Sequence, residues 1–296
     1  SLVAGAGLVL DAAGDATVAG AVAVRNGVLS LGAAKLSIGE TDGQSIGSGL
    51  VFSNADLGAV AGGDLRLRSG GLIDIYGGLA DPATGTPLAF RTLSLDARGI
   101  RGLANADATT VLAAETIRVG NSSGSTAIGG DTVAAPGSAL ELRATKGLEM
   151  GAGRVAVQGY AGTVFEAGTA LTFTGDSKVS VDGQLTVDAP VITSSQATSS
   201  SLLATGRLAV SGGNSNAAVP KSAGLGASLD ISAADIDFGG RIVLPSGTVR
   251  LSQRGDPMAP VAGVGLRLAA NAVIDVKGET LVFGPKQVGT PGGKIV

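Results

Sequence analysis

The chain has no cysteine, no histidine and no tryptophan among its 296 residues. Those absences exclude thiol nucleophiles, disulfides, iron–sulfur clusters, His-based catalytic triads and His or Cys zinc sites. Any chemistry falls to Asp, Glu, Lys, Arg, Tyr or Ser. Aromatic residues are scarce: six Phe and two Tyr are too few for the two aromatic girdles of an outer-membrane barrel. No run of about 18 apolar residues occurs, so no segment reads as a membrane-spanning helix. Charged residues make up 15%, the net charge is −3, and no Lys/Arg-rich run is present to hold a nucleic-acid backbone.

What the chain has in abundance is small residues. The 49 Gly and 10 Pro together make about a fifth of the chain, below the roughly 25–30% that marks low complexity. With 44% hydrophobic residues, the chain can build a core. No shift in composition divides it, so residues 1–296 read as one continuous domain in which the stretch before Leu65 is least regular. The sequence starts at Ser1 without a signal-peptide pattern and is still strand-like at Ile295-Val296, which reads as a segment of something longer.

Helical periodicity is nearly absent, whereas apolar-x-apolar triplets recur along most of the chain. Leu65-Arg66-Leu67, Ile73-Asp74-Ile75, Leu140-Glu141-Leu142, Leu171-Thr172-Phe173, Leu229-Asp230-Ile231, Ile236-Asp237-Phe238, Leu266-Arg267-Leu268 and Ile274-Asp275-Val276 are examples. In each triplet the middle residue is expected to face solvent. The spacing says more: starts at Leu229, Ile236, Ile242 and Val249 are 7, 6 and 7 residues apart, and those at Leu266, Ile274 and Leu281 are 8 and 7 apart. Sandwiches and up-and-down barrels space their strands at roughly 8–12 residues. Asn-Gly, the strongest hairpin signal, occurs only at Asn26-Gly27.

Short strands joined by one or two small residues predict an all-β fold, a parallel β-helix or β-solenoid of about 20 residues per three-strand coil. At about 4.8 Å per coil, the chain would make about 15 coils and a rod about 70 Å long. An irregular Greek-key sandwich is the alternative weighed against it. Segments that break the period are expected to leave the rod as loops: Thr41 to Gly49, Gly77 to Pro87, Asn121 to Gly130, Ser194 to Ser201, Ser211 to Gly226 and Gln253 to Gly263.

Three segments resemble a known family. Gly63-Asp64-Leu65-Arg66-Leu67-Arg68-Ser69-Gly70-Gly71-Leu72-Ile73-Asp74, Ala139-Leu140-Glu141-Leu142-Arg143-Ala144 and Leu185-Thr186-Val187-Asp188-Ala189 are similar to the imperfect repeats of filamentous-haemagglutinin-like exoproteins. These are the large secreted partners of two-partner secretion. The resemblance spans most of Leu65 to Phe283 in style and lacks the Asn-Pro-Asn-Gly segments typical of the family's secretion domain. It implies an internal rod segment, a right-handed parallel β-helix, secreted or on the outer surface of a Gram-negative bacterium after passage through an outer-membrane transporter. Host or bacterial surface glycans or proteins are the partners it implies. The absence of Cys suits a chain threaded unfolded through an oxidising periplasm.

With no His or Cys, the carboxylates are the first candidates for chemistry. A polysaccharide-processing β-helix needs two or three converging acids, or a Ca²⁺ cluster with a basic residue. Asp230, Asp235 and Asp237 are close in sequence, and Asp182 and Asp188 lie on successive short strands. The competing reading makes Asp74, Asp230, Asp237 and Asp275 outward solvated residues, Asp176 and Asp182 corner residues that accept backbone hydrogen bonds, and Asp235 the start of a strand. Arg66, Arg68, Arg118, Arg143, Arg250 and Arg267 would form an anion-binding ladder if they shared one face, or would be neutralised by neighbouring acids. Tyr76 and Tyr160, each beside a Gly, are expected as corner residues or sugar-stacking platforms, and Phe173, Phe238 and Phe283 as core.

Gly58 to Gly63 and Gly124 to Gly130 lack Gly-Lys-Ser/Thr, and Gly129-Gly130-Asp131 lacks the calcium nonapeptide spacing. The sequence therefore assigns no catalytic, cofactor or metal residue. The expected role is a non-enzymatic rod projecting adhesive or effector regions, with end-to-end self-association possible at its open ends. A carbohydrate-binding or polysaccharide-degrading β-helix and a filament- or matrix-forming subunit are the alternatives.

Overall fold

A computed structural model describes residues 2–4, 7–12, 22–24, 27–40, 49–103, 105–125, 132–214, 216–219, 224–255 and 263–296. The described residues are all-β, with long parallel sheets and, among them, one short helix, Asn54–Gly58. Among the described residues, every pairing between named strands is parallel except the hairpin Thr280–Phe283 with Lys286–Gly289.

The strands fall into three ladders. The first runs through Val28–Ala33, Asp64–Ser69, Ala89–Asp96, the second half of Thr109–Gly120, Gly147–Met150, Ala170–Phe173, Ile192–Ser194, Arg241–Val243 and Val273–Asp275. The second holds the first half of Thr109–Gly120, then Ala135–Ala144, Tyr160–Ala167, Gln184–Asp188, Arg207–Ser211, Asp235–Phe238 and Leu266–Leu268. The third includes Leu36–Gly39, Leu72–Tyr76, Gly99–Gly102, Gly153–Gln158, Ser177–Val181, Ser199–Ala204, Ser228–Ala233, Thr248–Gln253 and Lys294–Ile295. Where no loop intervenes, partners such as Leu140, Thr163, Leu185 and Leu208 are 23, 22 and 23 residues apart.

This pairing explains the triplets. Their flanking residues stack on the interior: Leu29, Leu65, Leu93, Ile117, Leu148 and Leu171 lie in register and are all buried. Burying each contributes about 1.5–3 kcal/mol. Corner glycines make room where one coil crosses the next. Gly159 has φ 79°, and a Cβ there would lie 2.2 Å from the Gly102 carbonyl oxygen.

Two loops each remove one strand from one ladder. Residues after Gly120 leave the third ladder, so Gly99 pairs with Ala156, 57 positions on. Residues after Ser211 leave the first ladder, so Ile192 pairs with Ile242, 50 positions on. The second ladder keeps a strand in each of these coils. The helix Asn54–Gly58 stands where later coils have a second-ladder strand, between Leu50–Phe52 and Asp64–Ser69, and buries Leu57.

Leu281 does not start another coil strand: it lies in the antiparallel hairpin, and the chain rejoins the third ladder at Lys294–Ile295. The loop expected over Ser194 to Ser201 shrinks to 195–198, because Ser194 ends one strand and Ser199 begins the next. Leu266 and Leu268 are exposed rather than buried, since no described strand covers their edge. Most of Thr41 to Gly49, the end of Asn121 to Gly130 and the middle of Gln253 to Gly263 lie outside the described residues, as do the side chains of 281–283, including Phe283.

Candidate functional site

The acidic trio separates once the strands are placed. Asp235 and Asp237 sit on the second ladder, while Asp230 is on the third, opposite Arg250. Asp235 and Asp237 are held by arginines of the coils on either side. Arg267 Nη2 donates to Asp235 Oδ2 at 2.8 Å, Arg207 lies 3.8 Å from the same atom, and both arginines contact Asp237. The hydrogen bond from Arg267, seconded by Arg207, holds the Asp237 carboxyl below the usual carboxylate range. An acid so held is a poor proton donor at neutral pH, so Asp237 acts as part of a charge-balanced brace between coils and does not fit the raised acid of a glycosidase pair.

Asp182 and Asp188 flank opposite ends of the strand Gln184–Asp188 and do not converge. Asp176, expected at a corner, accepts a hydrogen bond at 2.8 Å from the backbone N–H of Ser199 in the next coil. Among the described residues, no group of three or more acids is placed to hold a metal ion.

The arginines divide as well. Arg66, Arg68 and Arg118 are on the first ladder, Arg143 and Arg267 on the second, and Arg250 on the third. Most have acidic partners: Arg118 donates to Glu149 at 2.8 Å, Arg143 contacts Glu141 and lies 3.2 Å from Glu166, and Arg68 is 3.7 Å from Asp96. One continuous anion-binding ladder therefore does not form. Beside Arg118, a groove of about 300 Å³ is bordered by Ser94, Glu149, Asn121 and Ser122. Its charges are already matched, with Asp96 accepting from Ser122 N and Oγ at 2.7 and 2.5 Å.

Asp74 overturns the expectation of a solvated outward carboxylate. It occupies an outward strand position, yet its side chain is 0% exposed. Arg101, from the next coil, donates from Nε and Nη2 to its two oxygens at 2.8 and 2.7 Å, and Lys35 Nζ, from the coil before, is 3.4 Å away. Thr172 is a second outward residue that is buried. Ala170, Val191 and Val243 form a small apolar cluster outside the main core, covered by Val219 from the Ser211 to Gly226 loop. Arg241 Nη1 anchors that loop through the carbonyls of Asn214 and Ala217 at 3.2 and 2.8 Å. Its described part therefore lies against the ladders instead of projecting.

Neither tyrosine is a platform. Tyr76 and Tyr160 are both buried, and burial pushes the Tyr160 phenol well above its ordinary pKa. The Tyr160 ring lies against Gly102, where a Cβ would approach it to 2.4 Å. Phe173 and Phe238 are buried as expected. No protein-family model, curated protein or solved structure matches this chain.

Proposed function

We propose that the chain is a segment of a structural rod, a right-handed parallel β-helix of about 20 residues per three-strand coil. Its host would be a secreted or cell-surface exoprotein of a Gram-negative bacterium, of the filamentous-haemagglutinin-like kind. One observation carries the reading: three parallel ladders enclose continuous apolar stacks, while outward acids and arginines are largely spent on one another. Such a body is suited to bearing load and presenting distant regions, not to concentrating reactive groups. The right hand is what the resemblance to filamentous-haemagglutinin-like repeats implies.

In this role the rod is non-enzymatic, leaves the cell through an outer-membrane transporter, and projects adhesive or effector portions toward surface glycans or proteins. The test is incubation of the purified chain with neutral and acidic polysaccharides, with and without Ca²⁺, while following chain length over a day. No shortening is expected. Cleavage abolished by Asp237→Asn would replace the rod with an enzyme. Scattering from the same sample should give an elongated particle about 50 Å long rather than the roughly 70 Å expected from about fifteen coils, because the third ladder stacks ten described strands at about 4.8 Å each.

A further inference from the structure

The corner between the first and third ladders is passed three times in succession, at Ala34-Lys35, at Gly70-Gly71 and at Ala97-Arg98. The three corners are in register: Gly70 N–H donates to the Ala33 carbonyl and Arg98 N–H to the Gly71 carbonyl, both at 3.0 Å. The outer two carry long cationic side chains. The middle one carries none, and this missing side chain opens a hollow of about 290 Å³, near the lower end of the roughly 300–1,000 Å³ usual for small-molecule sites.

Lys35, Arg98, Arg101 and Asp74 line the hollow, with Ala34, Gly71 and Leu72 supplying its apolar wall. Two of these cations, Lys35 and Arg101, meet the one carboxylate, in a chain whose net charge is −3. The bonds to Asp74 use Nε and Nη2 of Arg101, which fixes the guanidinium while Nη1 takes no part in them. A guanidinium locked by a buried acid, next to an ammonium that shares the same counter-charge, is preorganised for an incoming oxyanion.

We propose that this corner hollow binds a small organic anion through a carboxylate or sulfate group, with the ligand's carbon skeleton against Leu72 and Ala34. Asp74 acts as a positioning residue that holds Arg101 and tempers the affinity. The site does not depend on the rod reading.

The test is calorimetric titration of the whole chain at low salt with glucuronate, glucose 6-sulfate, neutral glucose and inorganic sulfate. Both charged sugars should bind and glucose should not. Lys35→Met should weaken binding by roughly ten-fold or more while keeping the circular dichroism spectrum and a cooperative melt only slightly below that of the parent chain. Asp74→Asn should tighten binding, since it removes the competing negative charge; if that variant fails to fold, Lys35→Met alone decides. Equal behaviour of charged and neutral sugars, undiminished binding in Lys35→Met, or binding of inorganic sulfate alone would each overturn the proposal.

Discussion

Arg101 grips Asp74 across adjacent coils through two hydrogen bonds of 2.8 and 2.7 Å, closing over a carboxylate whose side chain has no exposed surface. Breaking a buried pair from one side leaves an uncompensated charge. Arg101→Met is therefore expected to destabilise the fold by about 3 kcal/mol, with Lys35 at 3.4 Å offsetting part of the loss. Lys35→Met, which leaves the paired hydrogen bonds intact, should lower stability by less than about 1 kcal/mol. Urea unfolding of both variants checks the order, and equal effects would show that the two cations share the role.

The inward and outward assignment has a sharper test. Leu142 and Ile231 are buried in the stacks, whereas Glu141 and Asp230 beside them are partly solvated. Leu142→Asp or Ile231→Asp places a charge in a dry interior and should prevent cooperative folding. Glu141→Ala and Asp230→Ala should shift stability by only about 0.5 kcal/mol. Thermal melts of the four variants suffice, and similar tolerance within either pair would refute the assignment.

The strands were legible because the period-two pattern depends only on adjacent residues. Leu65, Leu67, Ile117, Val119, Leu140 and Leu142 are all buried, as their triplets predict. What crosses coils was not legible. The burial of Asp74 depends on Lys35 and Arg101, which lie 39 and 27 positions away. Likewise, Thr172 is buried on a face where Val219 covers neighbouring Ala170, Val191 and Val243. The helix Asn54–Gly58 did leave a sequence signal. Ser53 Oγ accepts from Asp56 N–H at 3.3 Å, and Asp56 Oδ2 accepts from Ser53 N–H at 3.1 Å, a reciprocal capping box spelled out in Ser-Asn-Ala-Asp. The scattered acids and arginines could not be sorted in advance, because three ladders distribute close neighbours in sequence onto different faces.

Gly102 tests close packing inside the stack. A Cβ at this position would lie 2.4–2.7 Å from three ring atoms of the buried Tyr160. Gly102→Ala should therefore cost about 1–3 kcal/mol through overpacking. Adding Tyr160→Leu should recover part of that loss, a coupling measurable in a double-mutant cycle. Additive losses would place the strain elsewhere.

Stability should fall at both ends of the pH scale for separate reasons. Hydrogen bonds from Arg91 and Arg267 hold the carboxyls of Asp64 and Asp237 below their ordinary values. Their stabilisation is complete above the unfolded value of about 4 and is lost as pH falls through the lower folded value. Arg267→Gln should shallow the acid limb, and added salt should do the same. At the alkaline end, burial raises the Tyr160 pKa above the ordinary value. The unfolded phenol loses its proton near pH 10, so stability declines above that point and is lost further as pH rises through the folded value. Tyr160→Phe should remove this decline, and ultraviolet-monitored titration alongside unfolding curves reads both effects.

Leu268 and Ile295 are 58% and 53% exposed, and their strands cap Phe238 and Val249 in register while offering unpaired outer edges among the described residues. Unpaired parallel edges with apolar side chains are templates for further strands, and a head-to-tail contact of this kind does not close on itself. The chain should therefore form end-to-end species that lengthen with concentration in sedimentation velocity runs. Placing like charges on that layer with Leu268→Glu and Ile295→Glu should return it to a single slow-sedimenting species without changing its melting temperature, because neither side chain is in the buried interior. Undiminished association of the double variant would mean that the copies meet through another face.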